Sequence, residues 1–217
     1  MRALVLAKAP VAGRVKTRLG ATIGLEAAAR VAAASLLDTL VACHDAFDEC
    51  HLALDGDLRG AHGEDALRDH LTDWVVHPQH GASFGERLAH AHATVAGPGV
   101  TVQVGMDTPQ ASARDLHDVA AAWGEGNAVL GPAADGGWWV LALQDPAAAA
   151  GLAGVPMSRA DTHDRTRDAL AAAGQRVVPA RTLRDVDTAD DADAVWAELT
   201  GGHFKDAWAE VSRVVSP

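Results

Sequence analysis

Lysine is scarce in this chain of 217 residues, which has only three among 18 basic residues. Arginine is therefore its ordinary cation, and each lysine stands out. Cysteine is scarcer still. Cys43 and Cys50 lie seven apart with no CxxC pair, which suggests neither a disulfide framework nor a structural zinc site. No apolar run approaches the ~20 residues that cross a bilayer. The burst in MRALVLAKAP is interrupted by Lys8 before it reaches the length of a signal h-region. A soluble, cytoplasmic protein with no membrane partner is the expectation. Basic charge is also short: a formal net charge of -11 argues against general nucleic-acid binding, which needs a basic face to displace counterions from phosphates. The chain has no G-x-x-x-x-G-K-[ST], no G-x-G-x-x-G opening a helix and no G-x-S-x-G elbow. Walker-type ATPase, dinucleotide-binding and acyl-transfer readings lose their support accordingly.

What is present is an alternation of short apolar runs with helical patterns. Hydrophobic content of 48% against 22% charged residues fits a globular protein, and the length fits a single domain over residues 1–217. Strands are expected at 2–7, 51–56, 73–78, 100–105, 127–132, 138–143 and 176–180. Helices are expected at 25–41, 58–71, from Ser83 onward, and at 112–123, 162–173 and 188–199. Ser83 and Glu86 form an S-x-x-E capping box, Gly174 closes the helix before it, and the AAAA at 147–150 reads as a local break. This order predicts a three-layer α/β/α sandwich on a mainly parallel sheet. In such sheets ligands bind where loops leave the carboxyl ends of strands. That rule selects three loops: 8–20, 106–110 and 133–138.

The first loop, KAPVAGRVKTRLG, gathers Lys8, Arg14, Lys16 and Arg18 around Gly13. It reads either as a phosphate cradle, with glycine allowing close backbone approach, or as a solvated basic turn paired with surface carboxylates. In GMDTPQ, Asp107 follows an uncharged strand. One carboxylate beside a phosphate loop suffices to hold Mg²⁺ or Mn²⁺, but an Asx-turn before Pro109 is equally open to it. In GPAADGGWWVLAL, Asp135, Gly136 and Gly137 precede Trp138 and Trp139. The segment reads as an apolar wall for a small acceptor, as a tight hairpin with tryptophan in the core, or as both, since adjacent strand residues face opposite sides. His77, His80, His90 and His92 have no zinc spacing.

Taken together, KAPVAGRVKTRLG, QHGASFGERLAHA, GMDTP, GPAADGGWWVLAL and LRDVDTADDADAVW resemble, in order and nearly end to end, a bacterial family of GT-A-like glycosyltransferases that includes the arsenosugar-biosynthesis type. More distantly they are similar to the guanylyltransferases that make molybdenum-cofactor dinucleotide and the phospholactate precursor of coenzyme F420. The resemblance implies a nucleotide-diphospho-sugar transferase (GT-A) fold with the first loop on the nucleotide phosphates. It also implies Gln79, Gly81 and Gly85 near the nucleobase, Asp135, Gly136, Gly137 and Trp138 on the acceptor side, and Asp107 as metal ligand. Asp187 is implied as a second ligand, although its place before a helix also accounts for it. Two segments depart from the family pattern. GMDTP stands where Gly-Ser-Asp-Cys-Pro is common, and PMSRADTHDRT where Trp-Ser-Thr is frequent; the second leaves the acceptor open.

The leading expectation is a metal-dependent glycosyltransferase. Mg²⁺ or Mn²⁺ on Asp107, with Lys8, Lys16 and Arg18, would stabilise the leaving diphosphate, and Asp135 would take the acceptor proton. The alternatives are a nucleotidyltransferase releasing pyrophosphate from a nucleoside triphosphate, and a non-catalytic nucleotide-binding protein. The expected partners are a nucleotide sugar or nucleoside triphosphate and a small-molecule acceptor, with a homodimer left open.

Overall fold

Apolar runs flanked by turn residues form a seven-stranded sheet in the computed structural model of the chain, which describes residues 1–124 and 126–215. In chain order the elements are β1 (Arg2–Lys8), α1 (Thr17–Ile23), α2 (Leu25–Ala46), β2 (Glu49–Asp55), α3 (Glu64–His70), β3 (Val75–Pro78), α4 (Phe84–Thr94), β4 (Thr101–Gly105) and α5 (Ala113–Ala122). They continue with β5 (Asn127–Pro132), β6 (Trp138–Leu143), α6 (Pro146–Ala149) running into a 3-10 turn (Ala150–Gly154), α7 (Thr162–Ala172), β7 (Arg176–Pro179), α8 (Ala189–Glu198) and α9 (His203–Val215). The strand order is β3-β2-β1-β4-β6-β5-β7. Among the described residues, only β6 runs antiparallel to its neighbours, β4 and β5; every other pair is parallel.

The two-residue period of β1 divides its side chains between two apolar layers. Ala3 and Val5 pack with Leu36, Leu40 and Leu116 of α2 and α5, whereas Leu4 and Leu6 pack with Leu88, Leu152 and Leu170 of α4, the 3-10 turn and α7. Burial on both faces is what a mainly parallel sheet requires. A third cluster joins Leu19, Val31, Val186, Val195, Phe204 and Trp208, which ties α1, α2, α8 and α9 to the segment before α8. The chain runs outward from β1 to β3 and then crosses back to β4 beside β1. The loops leaving β1 and β4 therefore flank the point where strand order reverses, the usual place for a ligand cleft in such sheets.

Caps set several boundaries. Ser83 and Glu86 make the reciprocal capping box of α4, and Ser112 with Asp115 and Thr188 with Asp191 do the same for α5 and α8. Gly174, at φ 81°, follows the end of α7. Three expectations need correction. The segment expected to be helical at 58–71 is helical only over Glu64–His70. The alanine run is not a break but α6, because Asp145 caps it by accepting from the Ala147 N–H at 2.9 Å and Pro146 fits the first turn. Finally, the first loop ends in α1, which Gly24 at φ 88° separates from α2.

His92 of α4 is buried, and its Nε2 has no hydrogen-bond partner among the described residues. Burial pushes its pKa down from 6.5 to about 4. The folded state thus binds fewer protons than the unfolded chain, so this group's contribution to stability is complete above pH 6.5 and is lost as pH falls through about 4. Acidifying from pH 7.5 to 5 should cost about 2 kcal/mol through this residue. Urea denaturation of His92→Leu should show a correspondingly shallower pH dependence than the parent; equal slopes would contradict the assignment.

Candidate functional site

At the start of α1, Lys16 adopts a left-handed backbone, φ 47° and ψ 43°, a conformation that costs a non-glycine residue about 1–2 kcal/mol. Val15 before it and Leu19 after it are buried. Its Nζ lies 2.8 Å from Asp107 Oδ1 and 2.8 Å from Asp187 Oδ1, and its side chain is only 8% exposed. Burial favours the neutral amine, but the two carboxylates outweigh it and raise the lysine pKa above its ordinary value. The ammonium is therefore a fixed charge.

Backbone bonds hold the two aspartates together. The Val186 N–H donates to Asp107 O at 2.9 Å, joining the loop after β4 to the segment before α8. Ser35 Oγ of α2 donates to Met106 O at 2.6 Å and fixes the same loop from the other side. Val186 and Leu19 belong to the third apolar cluster, so α9 packs behind Asp187 and Lys16 alike. Among the described residues, the Asp107 carboxylate makes no bond to the backbone that follows it, which leaves the Asx-turn without a partner.

Two lobes meet at this triad. The first, about 550 Å³, is lined by Lys8, Arg14, Lys16, Arg18 and Arg87 together with Gln79. Arg18 lies 3.4 Å from Asp187 Oδ2, and Arg87 pairs with Asp55 at 2.7 Å. Lys8 and Arg14 are exposed, with no carboxylate partner among the described residues. The second lobe, about 370 Å³, is lined by Asp135, Gly137, Trp138 and Asp185, among others. Asp107, Asp187, Arg18, Phe84 and Ser158 border both lobes. Ser158 and Lys16 are the two non-glycine residues with positive φ among those described, and such strain gathers at functional sites.

The remaining sequence candidates divide. Gln79 reaches the first lobe, but its Nε2 donates to Ala7 O at 2.9 Å and to Ala53 O at 2.8 Å, lacing β1 to β2. Gly13, Gly81, Gly85 and Gly136 line neither lobe. Packing explains three of these glycines. A Cβ on Gly85 would stand 2.2 Å from Leu152 O, one on Gly81 2.8 Å from the Arg87 N, and one on Gly136 2.1 Å from Ala160 O. Gly13 turns the loop at φ 77°. Asp135 makes the tight turn between β5 and β6, its Oδ1 accepting from the Gly137 N–H at 2.7 Å, and still borders the second lobe. Trp138 faces that lobe and donates to Thr166 Oγ1 at 3.1 Å, while Trp139 is buried and donates to Arg181 O at 2.8 Å. His77, His80, His90 and His92 lie outside both lobes.

Arg87, Gln103, Ser158 and Asp185 also line the lobes, although none of the motifs above singles them out. Asp185 carried a signal in the DVD of LRDVDT. Burial, then the neighbouring Asp135 and Asp187, raise its carboxyl pKa to about 6. Among the described residues no group of three or more His, Cys, Asp or Glu is arranged to hold a metal. Asp107 and Asp187 nevertheless converge on one point, now taken by the Lys16 ammonium. Two carboxylates with water and phosphate oxygens suffice for Mg²⁺ or Mn²⁺, so these two fit such an ion where the Lys16 ammonium gives up their shared point to it.

This fold is that of nucleotide-diphospho-sugar transferases and nucleotidyltransferases. It matches a protein assigned as a nucleotide-diphospho-sugar transferase from Desulfovibrio desulfuricans G20 with a TM-score of 0.81, 24% identity, and coverage of 99% of this chain and 96% of that one. A nucleotidyl transferase from Methanothermobacter thermautotrophicus matches with a TM-score of 0.59, 17% identity and coverage of 92% and 99%. The manganese complex of Rv0371C from Mycobacterium tuberculosis H37Rv matches with a TM-score of 0.50, 23% identity and coverage of 91% and 98%. No curated protein sequence matches. The chain belongs to the family described as uncharacterized protein conserved in bacteria (DUF2064), which matches residues 30–159.

Gly136→Ala should destabilise the protein by about 3 kcal/mol, because alanine at φ 91° must also displace the Ala160 carbonyl. Asp135→Asn preserves an oxygen acceptor for Gly137 and should change stability by less than about 0.5 kcal/mol. Urea denaturation of both variants checks the contrast.

Proposed function

We propose that this protein is a metal-dependent glycosyltransferase that takes a nucleotide-diphospho-sugar donor and a small-molecule acceptor. The observation carrying the reading is the Lys16 ammonium clasped by Asp107 and Asp187 where a basic lobe meets an acidic one. The donor diphosphate lies in the first lobe, where Lys8, Arg14, Lys16 and Arg18 offset its charge. Phe84, 47% exposed at the border of both lobes, offers an apolar face to the base or the sugar. Mg²⁺ or Mn²⁺, when held by Asp107 and Asp187, supplies further charge stabilisation for the leaving diphosphate.

In the reaction, an acceptor hydroxyl in the second lobe forms a bond to the anomeric carbon as the bond from that carbon to the diphosphate oxygen breaks. The acceptor proton passes to a carboxylate of that lobe, for which Asp135 is placed by its turn. Nucleoside diphosphate leaves. The resemblance to arsenosugar-biosynthesis-type glycosyltransferases supports this chemistry. The fold shared with a nucleotidyl transferase supports a second reading, attack on the α-phosphorus of a nucleoside triphosphate with release of pyrophosphate. Turnover itself separates both from a non-catalytic nucleotide-binding protein.

Incubation with panels of nucleotide sugars and of nucleoside triphosphates, each with and without Mn²⁺, tests the assignment. We expect nucleoside diphosphate to appear only with a nucleotide sugar and metal, Asp107→Asn to lower turnover by about 10²–10³-fold, and Lys16→Ala to weaken nucleotide binding at least ten-fold. Pyrophosphate release from a triphosphate would replace the glycosyl assignment with the nucleotidyl one.

A further inference from the structure

Gln103 sits at the middle of β4, in register with Leu4 of β1 on one side and Leu141 of β6 on the other. Both leucines belong to the apolar layer beneath α4 and α7. Gln103 is 2% exposed, yet among the described residues its Oε1 has no hydrogen-bond partner, and the residue borders the second lobe. A buried amide oxygen without a partner is unusual in a native structure, and an aliphatic side chain would suit this layer better. The oxygen is an acceptor only, so what it lacks is an O–H or N–H.

The charges around it narrow what could bring that donor. Asp107, Asp135, Asp185 and Asp187 border the second lobe. Among the described residues its cations are Arg18, which lies 3.4 Å from Asp187 and is assigned to the donor diphosphate, and Arg159, which pairs with Asp161 at 2.9 Å. Offsetting Asp107 and Asp187 by Lys16 and a bound cation still leaves Asp135 and Asp185 facing the cavity. A phosphate or carboxylate placed beside Asp135 and Asp185 would meet two carboxylates and, among the described residues, no side-chain cation left over to offset it. Carboxylates do suit hydroxyl donors, and Trp138 supplies an apolar face beside them.

We propose that the second lobe selects an uncharged polyhydroxylated acceptor, that Gln103 Oε1 receives one of its hydroxyls, and that Asp135 and Asp185 exclude anionic acceptors. This inference rests on the donor and acceptor lobes of the proposed function. It makes Gln103 and Asp185 specificity residues that the sequence reading did not single out.

The test is calorimetric or saturation-transfer NMR binding to the full chain with Mn²⁺ and saturating GDP or UDP, which fills the basic lobe so that phosphate groups cannot be captured there. The probes are ribose, glucose, glycerol and inositol, each against its monophosphate. At least one neutral compound should bind ten-fold or more tightly than its phosphorylated counterpart. Gln103→Leu should lose at least ten-fold of that affinity while its nucleotide affinity stays at the parental value, which also reports that the variant is folded. Asp185→Asn should raise affinity for the phosphorylated compound at least three-fold. Equal or tighter binding of the phosphorylated compound, no binding of any neutral one, or parental binding by Gln103→Leu overturns the proposal. If neither nucleotide binds the parent protein, the transferase reading falls instead. The comparison is then made on the free protein, where Gln103-dependent binding alone decides.

Discussion

One buried ammonium between two aspartates organises the site. Lys16, Asp107 and Asp187 come from widely separated parts of the chain, and their 2.8 Å contacts can form only once α1, the loop after β4 and the segment before α8 are all in place. Removing a lysine side chain from water is unfavourable unless it is paired. Here the carboxylates supply the pairing, and the third apolar cluster supplies the rigidity. Phe204 and Trp208 of α9 have no part in lining the cleft, but they pack on Leu19 and Val186, next in the chain to the charges that do.

From this point the cleft divides by charge. Toward α4 the lining is basic, with Lys8, Arg14, Arg18 and Arg87; toward the β5–β6 turn it is acidic, with Asp135 and Asp185. A chain of net charge -11 attracts polyanions poorly as a whole. Under the proposed function, the local concentration of cations does what net charge cannot. Under the proposed function, the same division would orient a diphosphate donor at the basic end and a neutral, hydroxylated acceptor at the acidic one.

Much of this was legible in the sequence because local rules suffice for it. Short apolar runs became strands, and S-x-x-E at 83–86 became a capping box. The rule that loops at strand carboxyl ends meet at the switch point selected the segments bearing Lys16, Asp107 and Asp135. What was not legible depends on contacts distant in sequence. The glycines at 81, 85 and 136 could be read as ligand approaches, whereas Glu86 with Arg87, Leu152 and Ala160, respectively, are what leave no room for a Cβ. Gln103 resembles any polar residue in a strand until its missing partner is seen in three dimensions. α9 was readable in principle, since Phe204, Trp208 and Val211 recur at helical spacing.

Where a nucleoside diphosphate and Mn²⁺ bind decides the proposed function. A crystal structure of the protein soaked with both should place the ion between Asp107 and Asp187 and the diphosphate oxygens within hydrogen-bond reach of Lys8, Arg14 or Lys16. A diphosphate bound elsewhere, or an ion that leaves Asp107 and Asp187 both on Lys16, would contradict it.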